Sequence, residues 1–404
     1  MTAPLQGVRV VELGWAAAGP LVGTYLASHG AEVIHLESST AIDPFRSTYP
    51  PFKDNKPGPD RAAMFSFYNA GKRGVTLDLK QPRAVELALR LVATADVVIE
   101  SFPAGTLARR GLGVDVLRKT KPDLVILSSC NQGQTGPHAQ HPGYGSQLTA
   151  LAGFTQLLGD PDRTPVILYG PYIDYIAVGY GVIAVLAALD RRMRTGQGCV
   201  IDLSQYEAGL QFMAPALLEH AANGTIPTRA ANRDRVAVPH GVYPTSEPDS
   251  WIALSVWDDA EWKHLVEALG DPEWARDSAL ATADGRRARE AWLDEHIAEW
   301  SRRQPRASAV SRLRSRGLRA APVQSVGELF RDPQLVERKA WRTAPHPVIG
   351  DVRLMAPPFL LSGAAQGPDR PGPLLGQHTE EVFRGIVGLD AAEYAACEAA
   401  GVFR

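Results

Sequence analysis

Asp174 is the residue whose surroundings most call for a chemical explanation. It stands between a turn-forming Gly170-Pro171 pair and a long apolar run, which predicts a helix over residues 175–192. An aspartate directly before a helix is among the best N-caps, and the helix dipole favours its charge. The local pattern alone therefore favours a capping role. The chemical alternative is a carboxylate nucleophile.

Cysteine, histidine and serine offer weaker candidates. Cys130 ends the strand-like segment LVILSSC and is followed by His138 and His141. A thiol nucleophile is disfavoured, because no signature of a cysteine enzyme surrounds Cys130. The two histidines lack a third ligand at a useful spacing, so we predict no metal site. The absence of a GxSxG motif disfavours a serine hydrolase.

The segment GVRVVELGWAAAGPLVGTYLASHGAEVIHLES has the outline of a dinucleotide-binding unit: a strand, a turn, a helix with Gly30 at its C-cap and a strand ending in Glu37. NAD is disfavoured, because the turn lacks GxGxxG and Trp15 stands where a pyrophosphate would approach the backbone. A ligand with phosphates could still bind at the carboxyl edge of the sheet, although most such cations are solvated. The basic residues predicted near that edge are Arg46, Lys72, Arg73, Arg109 and Arg110.

Strand-like runs alternate with helical patterns through the first half of the chain. The predicted strands are Val8–Leu13, Glu32–Leu36, Asp96–Glu100, Leu124–Ser128 and Val200–Leu203. The predicted helices are Leu21–His29, Arg83–Thr94, the helix after Asp174 and Gln205–Ala222. This alternation predicts an α/β fold with a doubly wound, mostly parallel sheet.

A change of texture along the chain predicts more than one domain. Residues 1–222 form the large domain, 223–238 are a polar linker, and 239–322 form a smaller α+β domain. Residues 323–404 are read as proline-rich loop and a terminal helix that pack back on the large domain. A chain of 404 residues is long enough for two cores.

Composition excludes several classes of protein. The formal net charge of −2 gives no reason to expect nucleic acid or acidic lipid as a partner. Three widely spaced cysteines suit reduced thiols, and the N-terminus lacks a basic leader, so a cytoplasmic location is predicted. The apolar run Ile176–Leu189 is too short to span a bilayer.

Seven ordered motifs resemble those of the family III CoA-transferases, which include formyl-CoA transferase and the α-methylacyl-CoA racemases. The resemblance covers essentially the whole chain. Its motifs are GVRVVELG with AAGP and LASHGAEVIHLE, YNAGKRGVTLDLK, ADVVIESFPAGTLARRGLG, PDLVILSSCNQGQTGP, GPYIDYIAVGYGVIAVLAAL, GCVIDLSQYEA and RPGPLLGQHTEEV.

The resemblance implies a role for each part of the site. Asp174 matches the family's nucleophile, which passes through a covalent aspartyl-CoA thioester and needs neither metal nor NAD. It would be an ionised cap and a reagent at once. Oxyanion-stabilising amides are expected near Gly133 and Gly136. The residues that match the family's coenzyme A contacts are Ala16, Ala17, Ala18, Leu77, Ser101, Phe102, Arg109 and Arg110. A Rossmann-like large domain and an interlocked homodimer are also implied, with an acyl-CoA and a carboxylic acid as substrates.

Departures from the family pattern leave alternatives open. Ser38 and Ser101 replace an arginine and an asparagine near the expected adenosine phosphate site, and Gly145 replaces a second carboxylate. Where racemases carry a His-Asp pair, this chain has Tyr144 and Gly145. Tyrosine is a poor proton shuttle at neutral pH, which favours a transferase over a racemase. A non-catalytic CoA- or acyl-CoA-binding protein is the third alternative. Aromatic residues between Phe45 and Tyr68 are typical either of a site for an apolar acyl group larger than formate or of the hydrophobic core.

Overall fold

The structure, a computed structural model, describes residues 2–365 and 367–404. Its strands are β1 Arg9–Leu13, β2 Glu32–Glu37, β3 Arg73–Thr76, β4 Val97–Glu100, β5 Val125–Cys130, β6 Cys199–Ser204, β7 His240–Pro244, β8 Trp251–Ser255, β9 Arg319–Pro322, β10 Trp341–His346 and β11 Gly350–Met355. Its α-helices are α1 Ala18–Ala27, α2 Pro44–Ser47, α3 Ala63–Tyr68, α4 Pro82–Val92, α5 Thr106–Arg109, α6 Val114–Thr120, α7 Gly145–Leu151, α8 Phe154–Leu157, α9 Tyr172–Thr195, α10 Gln205–Phe212, α11 Ala214–Asn223, α12 Asp259–Leu269, α13 Ala283–Ala288, α14 Glu290–Ser301, α15 Arg306–Arg314, α16 Val326–Leu329, α17 Pro333–Glu337, α18 Thr379–Gly385 and α19 Ala391–Ala399. Short 3-10 turns lie at Lys53–Asn55, Glu273–Arg276 and Ser278–Ala281.

Strands β1 to β6 form one parallel sheet in the order β3-β2-β1-β4-β5-β6. This confirms the predicted α/β class with a parallel sheet. From β1 the chain adds strands first on one side (β2, β3) and then on the other (β4, β5, β6), so the switch point lies between β1 and β4. These two strands pair from Val10 opposite Val97 to Leu13 opposite Glu100. In open α/β sheets, ligands bind outside the carboxyl ends of the strands at such a switch point. Strand β3 is missed by the sequence analysis, because its four residues, RGVT, carry too short an apolar pattern.

The two faces of this sheet are covered by separate apolar cores. Residues such as Val11 and Ile34 point to one face, where α4 and α18 pack with Leu87 and Phe383. Their neighbours in sequence point to the other face, which α1, α3 and α9 cover. Strands buried on both faces read as continuous apolar runs, and this is why the sequence predicted them well.

The described residues form two compact units. The first runs to Thr155 and includes residues 167–226 and 333–404; the second comprises residues 156–166 and 227–332. The second unit has an antiparallel sheet in the order β7-β8-β9 and its own core around Trp262 and Leu293. The domain boundaries at 222, 238 and 322 stay a prediction. The units change at 226–227 and at 332–333, and residues 156–166 belong to the second unit rather than the first.

The C-terminal segment of the first unit is more regular than its proline content indicates. It contains an antiparallel hairpin of β10 and β11, followed by α18 and α19. The backbone N–H of His378 donates to the carbonyl of Gly74 over 2.9 Å, and that of Thr76 donates to Oγ1 of Thr379 over 3.1 Å. These bonds fasten the segment to edge strand β3.

Helix α9 differs from its predicted form. It begins at Tyr172 and has 24 residues, so it is long and apolar enough to cross a bilayer, contrary to the judgement from the shorter apolar run. Half of the most apolar stretch of this helix is buried in the protein, and the helix packs against α1, β5 and β6. We interpret it as a core helix of the first unit. The single helix predicted over residues 205–222 is divided at Met213 into α10 and α11.

Candidate active site

Asp174 lies at the carboxyl edge of the parallel sheet. Helix α9 leads into β6 and covers the sheet as a crossover helix does, so its first turn lies beyond the strands' carboxyl ends. The N-cap position is taken by Pro171, and Asp174 is the third residue of the helix. The predicted N-cap role is therefore wrong. The carboxylate remains in the first turn, where the positive end of the helix dipole is strongest.

Burial controls the protonation of Asp174. The residue is only 9 % exposed, and burial raises the pKa of its carboxyl to about 7. Within the described residues, no neighbouring cation or hydrogen-bond donor lowers this pKa. The expectation that the helix terminus keeps it fully ionised is thus wrong near neutral pH. A poorly solvated carboxylate gains nucleophilic reactivity when it ionises.

Gly145, the first residue of α7, packs directly against Asp174. A Cβ atom built at Gly145 would lie 2.5 Å from Oδ2 of Asp174. The end of this loop is held by Asn131, whose Nδ2 donates to the carbonyl of Gly143 over 2.9 Å, and by Thr149, whose Oγ1 donates to the carbonyl of Gly145 over 2.6 Å. The position where the family carries a second carboxylate is therefore the one that contacts Asp174.

Aromatic side chains form a continuous series of contacts that begins at Tyr144, next to Gly145, and ends at Tyr175, next to Asp174. We call this series the aromatic arc; it consists of Tyr144, Tyr49, Phe45, Tyr68 and Tyr175. Successive ring centroids are 6.4, 5.4, 5.0 and 6.3 Å apart. The hydroxyls of Tyr68 and Tyr175 are hydrogen-bonded to each other. Burial and then this bond raise the pKa of Tyr68 above its ordinary value, and the nearby charge of Asp174 adds to the effect.

A cavity of about 260 Å³ lies at the switch point of the same sheet. Its apolar walls include Leu77 and Phe102, and Trp15 packs edge-on against Phe102 with centroids 5.6 Å apart. Lys80 and Arg110 supply positive charge at the cavity. Flat apolar walls with cations nearby suit a nucleotide that carries phosphates. Sequence reasoning missed Lys80, although the predicted contact Leu77 is only three residues away.

The turn between β1 and α1 borders this cavity and is tightly constrained. Ala16 has a positive φ of 61°, which is unfavourable for alanine. Its N–H donates over 3.0 Å to Oδ2 of Asp43, while Oδ1 of Asp43 accepts from the N–H of Phe45 over 2.7 Å. Asp43 is fully buried, and burial raises its pKa to about 6. Asp43 thus connects the turn at the cavity to Phe45, the residue of α2 that belongs to the aromatic arc. The sequence analysis did not identify Asp43 as a functional residue.

The remaining predicted coenzyme A contacts occupy different positions. Ala17 and Ala18 are buried at the start of α1. The hydroxyl of Ser101 is buried beneath the same turn, without a partner among the described residues. Glycine is required above it, because a Cβ at Gly14 would lie 2.3 Å from Oγ of Ser101. Arg109 is exposed and donates to Oγ1 of Thr106 over 3.0 Å.

Three of the basic residues considered for phosphate binding are already engaged. Nζ of Lys72 is fully buried and donates to both oxygens of Glu12, over 2.7 and 3.0 Å. Arg46 is equally buried and makes two bonds to Glu37, over 2.7 and 2.8 Å. Arg73 pairs with Glu32 over 2.9 Å at the opposite edge of the sheet. Arg46, Lys72 and Arg73 are therefore structural cations.

Gly133 and Gly136 are not brought against Asp174. Both have positive φ, but the atoms nearest to a Cβ at Gly133 belong to Asp202 and Ser204, and a Cβ at Gly136 would meet open space. The Cys130 thiol is also a poor nucleophile, because burial and the charges of Glu100 and Asp202 raise its pKa to about 12. His138 and His141 contact each other with ring centroids 4.6 Å apart.

The sheet order, the cavity at its switch point and the buried carboxylate define a doubly wound α/β protein with a nucleotide-type site and a candidate nucleophile at the same edge of the sheet. Residues 5–379 match CoA-transferase family III. The chain belongs to this family, and it is an enzyme, a CoA-transferase, with CoA thioesters as substrates.

Individual relatives agree over nearly full length. Succinyl-CoA–D-citramalate CoA-transferase of Chloroflexus aurantiacus is 33 % identical over 98 % of this chain and 97 % of its own. Succinate–glutarate CoA-transferase of Agrobacterium fabrum is 33 % identical over 94 % and 95 %. A crystal structure of a CAIB/BAIF family protein from Brucella suis superposes with a TM-score of 0.88 at 32 % identity, over 96 % of this chain and all of that one.

Proposed function

We propose that this enzyme moves CoA from an acyl-CoA to a carboxylic acid through a covalent aspartyl-CoA thioester on Asp174. The observation that carries the proposal is a buried carboxylate, with a pKa raised to about 7, at the same sheet edge as the cavity lined by Leu77, Phe102 and Arg110. Both named relatives transfer CoA between acids, which supports the same reaction class here. The family resemblance supports Asp174 as the reacting group.

The reaction starts with a carboxylate oxygen of Asp174 and the thioester carbonyl. A bond forms between that oxygen and the acyl carbon, the carbon–sulfur bond breaks, and CoA leaves as a thiolate. The thiolate then attacks the side-chain carbonyl of Asp174, which forms the aspartyl thioester and releases the donor acid. Each step exchanges one activated carboxyl derivative for another, so the enzyme conserves the free energy of the thioester.

The acceptor acid reverses these steps. Its carboxylate attacks the aspartyl thioester, CoA leaves, and the thiolate then attacks the acceptor's carbonyl in the resulting anhydride. The new acyl-CoA departs, and Asp174 is regenerated with one oxygen that came from the acceptor acid. This oxygen transfer is a direct consequence of the covalent route.

The developing oxyanion needs a hydrogen-bond donor close to Asp174. Gly133 lies next to Asp202 and Ser204, and Gly136 faces open space. The hydroxyl of Tyr68, which is bonded to that of Tyr175, is instead near enough for the charge of Asp174 to raise its pKa. In a pair of hydroxyls only one hydrogen is used between them, so the second is free to donate. We assign oxyanion stabilisation to this pair. Removing one such donor costs roughly 100-fold or more in kcat.

Isotope labelling tests the proposed function. An acceptor acid whose carboxyl oxygens are both ¹⁸O is turned over, and the peptide that carries Asp174 is analysed by mass spectrometry. The covalent route predicts one ¹⁸O in the Asp174 side chain after a single turnover, up to two after repeated turnover, and none after incubation without acyl-CoA. Turnover without label in this peptide contradicts the proposal. The interlocked homodimer stays a prediction, and sedimentation equilibrium tests whether the chain dimerises.

A further inference from the structure

The aromatic arc provides an uncharged wall for whatever acyl group Asp174 exchanges. Its first ring, Tyr144, directly precedes Gly145, which contacts the carboxylate, and its last ring, Tyr175, directly follows Asp174. Ring contacts of 5.0 to 6.4 Å connect the two ends without interruption. The charge of Asp174 acts on the hydroxyl of Tyr68, which is bonded to that of Tyr175, so an acyl group attached to Asp174 has this end of the arc as a near neighbour.

The two arginines in the chain segment between Phe45 and Tyr68 are bonded to groups outside the aromatic arc. Arg46, next to Phe45 in sequence, donates both ends of its guanidinium to Glu37 and is 1 % exposed. Arg61 donates to the carbonyl of Lys53 and to Asp54, over 2.8 and 3.0 Å. Among the described residues, no cation shifts the protonation of Asp174. The loop that supplies Phe45 and Tyr49 thus contains basic residues, but these two arginines are paired elsewhere.

We propose that the acyl group exchanged at Asp174 is uncharged, an aliphatic or aromatic monocarboxylic acyl group, and that the aromatic arc disfavours acyl groups with a second carboxylate. This inference rests on the proposed function of Asp174 and adds the substrate class to it. A second carboxylate would lose water against aromatic rings without gaining an ion pair, and it would lie near the charge of Asp174. An apolar chain or ring instead gains buried contact area.

The proposal separates this chain from the relatives whose printed names contain succinate, glutarate and citramalate, all dicarboxylic acids. Identity of 33 % leaves room for such a change. A surface that offers no cation to a second carboxylate discriminates against it, because the charge loses water on binding and stays unpaired. Selectivity should therefore follow the charge of the acyl group more than its length.

Matched substrates of equal chain length test this inference. The enzyme is assayed with pentanoyl-CoA or glutaryl-CoA as donor and with pentanoate, phenylacetate or glutarate as acceptor, and kcat/KM is measured for each pair. The uncharged acyl groups are expected to be favoured by at least about 100-fold. A value for glutarate equal to or above that for pentanoate overturns the inference.

A charge-introducing variant tests the position of the arc. Tyr49→Arg places a cation in the arc and is expected to reduce the preference for pentanoate over glutarate at least about 10-fold. Tyr180→Arg is the matched control, because Tyr180 is 38 % exposed, against 37 % for Tyr49, and lies outside the arc. An unchanged preference in a folded Tyr49→Arg enzyme overturns the assignment. If that variant fails to fold, the wild-type substrate series still decides the inference.

The outcome also distinguishes this inference from the proposed function. Turnover of glutarate at the rate of pentanoate, with ¹⁸O found in Asp174, would keep the covalent route and remove the substrate class. Turnover of pentanoate without label in Asp174 would remove the covalent route. The inference is supported by preferred turnover of uncharged acids together with label in Asp174.

Discussion

A Cβ atom at position 145 would lie 2.5 Å from Oδ2 of Asp174 and 2.6 Å from Cβ of Pro171. Both distances are shorter than a non-bonded contact allows, so only glycine at this position leaves Asp174 where it is. The carboxylate and the first turn of α7 are therefore packed as one unit. Gly145 therefore differs from the family's second carboxylate in two ways: it lacks the charge, and this arrangement of Asp174 leaves no room for a side chain at position 145.

Gly145→Ala should lower kcat by about 100-fold, because the added methyl group displaces a carboxylate whose alignment with the thioester sets the rate. Steady-state kinetics measures the effect. Gly179→Ala is the matched control: it makes the same change on α9 at a site with no atom within 4 Å of the new methyl group. Equal, small effects of both substitutions would show that the contact with Asp174 has no catalytic importance.

The reaction should depend on pH through Asp174. Burial raises its pKa to about 7, so the nucleophile is protonated below this pH and ionised above it. We expect kcat/KM to rise about tenfold per pH unit below pH 7 and to level off above it. The measurement is kcat/KM from pH 5 to pH 9 under conditions where the enzyme is stable. A flat profile between pH 5 and pH 7 would contradict the raised pKa.

The same pKa predicts a change in stability. In the unfolded chain the carboxyl ionises near pH 3.8, whereas in the folded protein it ionises at about 7. Ionisation therefore favours the unfolded state increasingly from pH 4 to pH 7, and the cost stays constant, at about 4 kcal/mol, above pH 7. Asp174→Asn should raise the melting temperature at pH 8 and lose this advantage as the pH falls towards 4. Calorimetry at several pH values checks this; a gain independent of pH would argue against it.

Asp43 is expected to affect binding of the acyl-CoA more than the chemical step. An asparagine at this position would direct an NH₂ group towards the N–H of Ala16 or of Phe45, each of which now donates to the carboxylate. Asp43→Asn should raise KM for the acyl-CoA about 10-fold and change kcat less than about 3-fold. Asp54→Asn, in an exposed part of the same loop, is the control. A loss confined to kcat would place Asp43 in another role.

The cations at the switch-point cavity predict a salt-dependent affinity. Removing the charge of Arg110 or of Lys80, by Arg110→Gln or Lys80→Gln, should raise KM for the CoA thioester about 5- to 10-fold at low ionic strength and less at high ionic strength. Arg118→Gln removes a charge from an exposed position on α6 that does not line the cavity. If Arg118→Gln had the same effect as Arg110→Gln, the cavity would not be the phosphate site.

The sequence predicted most of what depends on local pattern. Buried parallel strands such as β1 and β5 have continuous apolar runs, and the order of motifs was sufficient for the family. The start of α9 was misjudged, because Pro171 fits an N-cap position as well as a turn and the first helical residues, Tyr172 and Ile173, resemble the end of a loop.

Long-range contacts account for what the sequence did not predict. The pKa of Asp174 depends on burial under α7, and Asp43 gains its role only because the turn at Ala16 folds over it. The sequence does not show that Lys72 is paired, because its partner, Glu12, lies 60 residues earlier in the chain. The aromatic arc joins five side chains from four separate parts of the chain, so no spacing rule could have identified it.

The most direct test of the central claim is to trap the covalent intermediate. The enzyme is incubated with an acyl-CoA in the absence of acceptor and treated with hydroxylamine, and the peptide that carries Asp174 is analysed by mass spectrometry. We predict a hydroxamate at Asp174, formed only when acyl-CoA is present and absent in Asp174→Asn. An unmodified Asp174 in enzyme that catalyses full turnover under the same conditions would contradict the account.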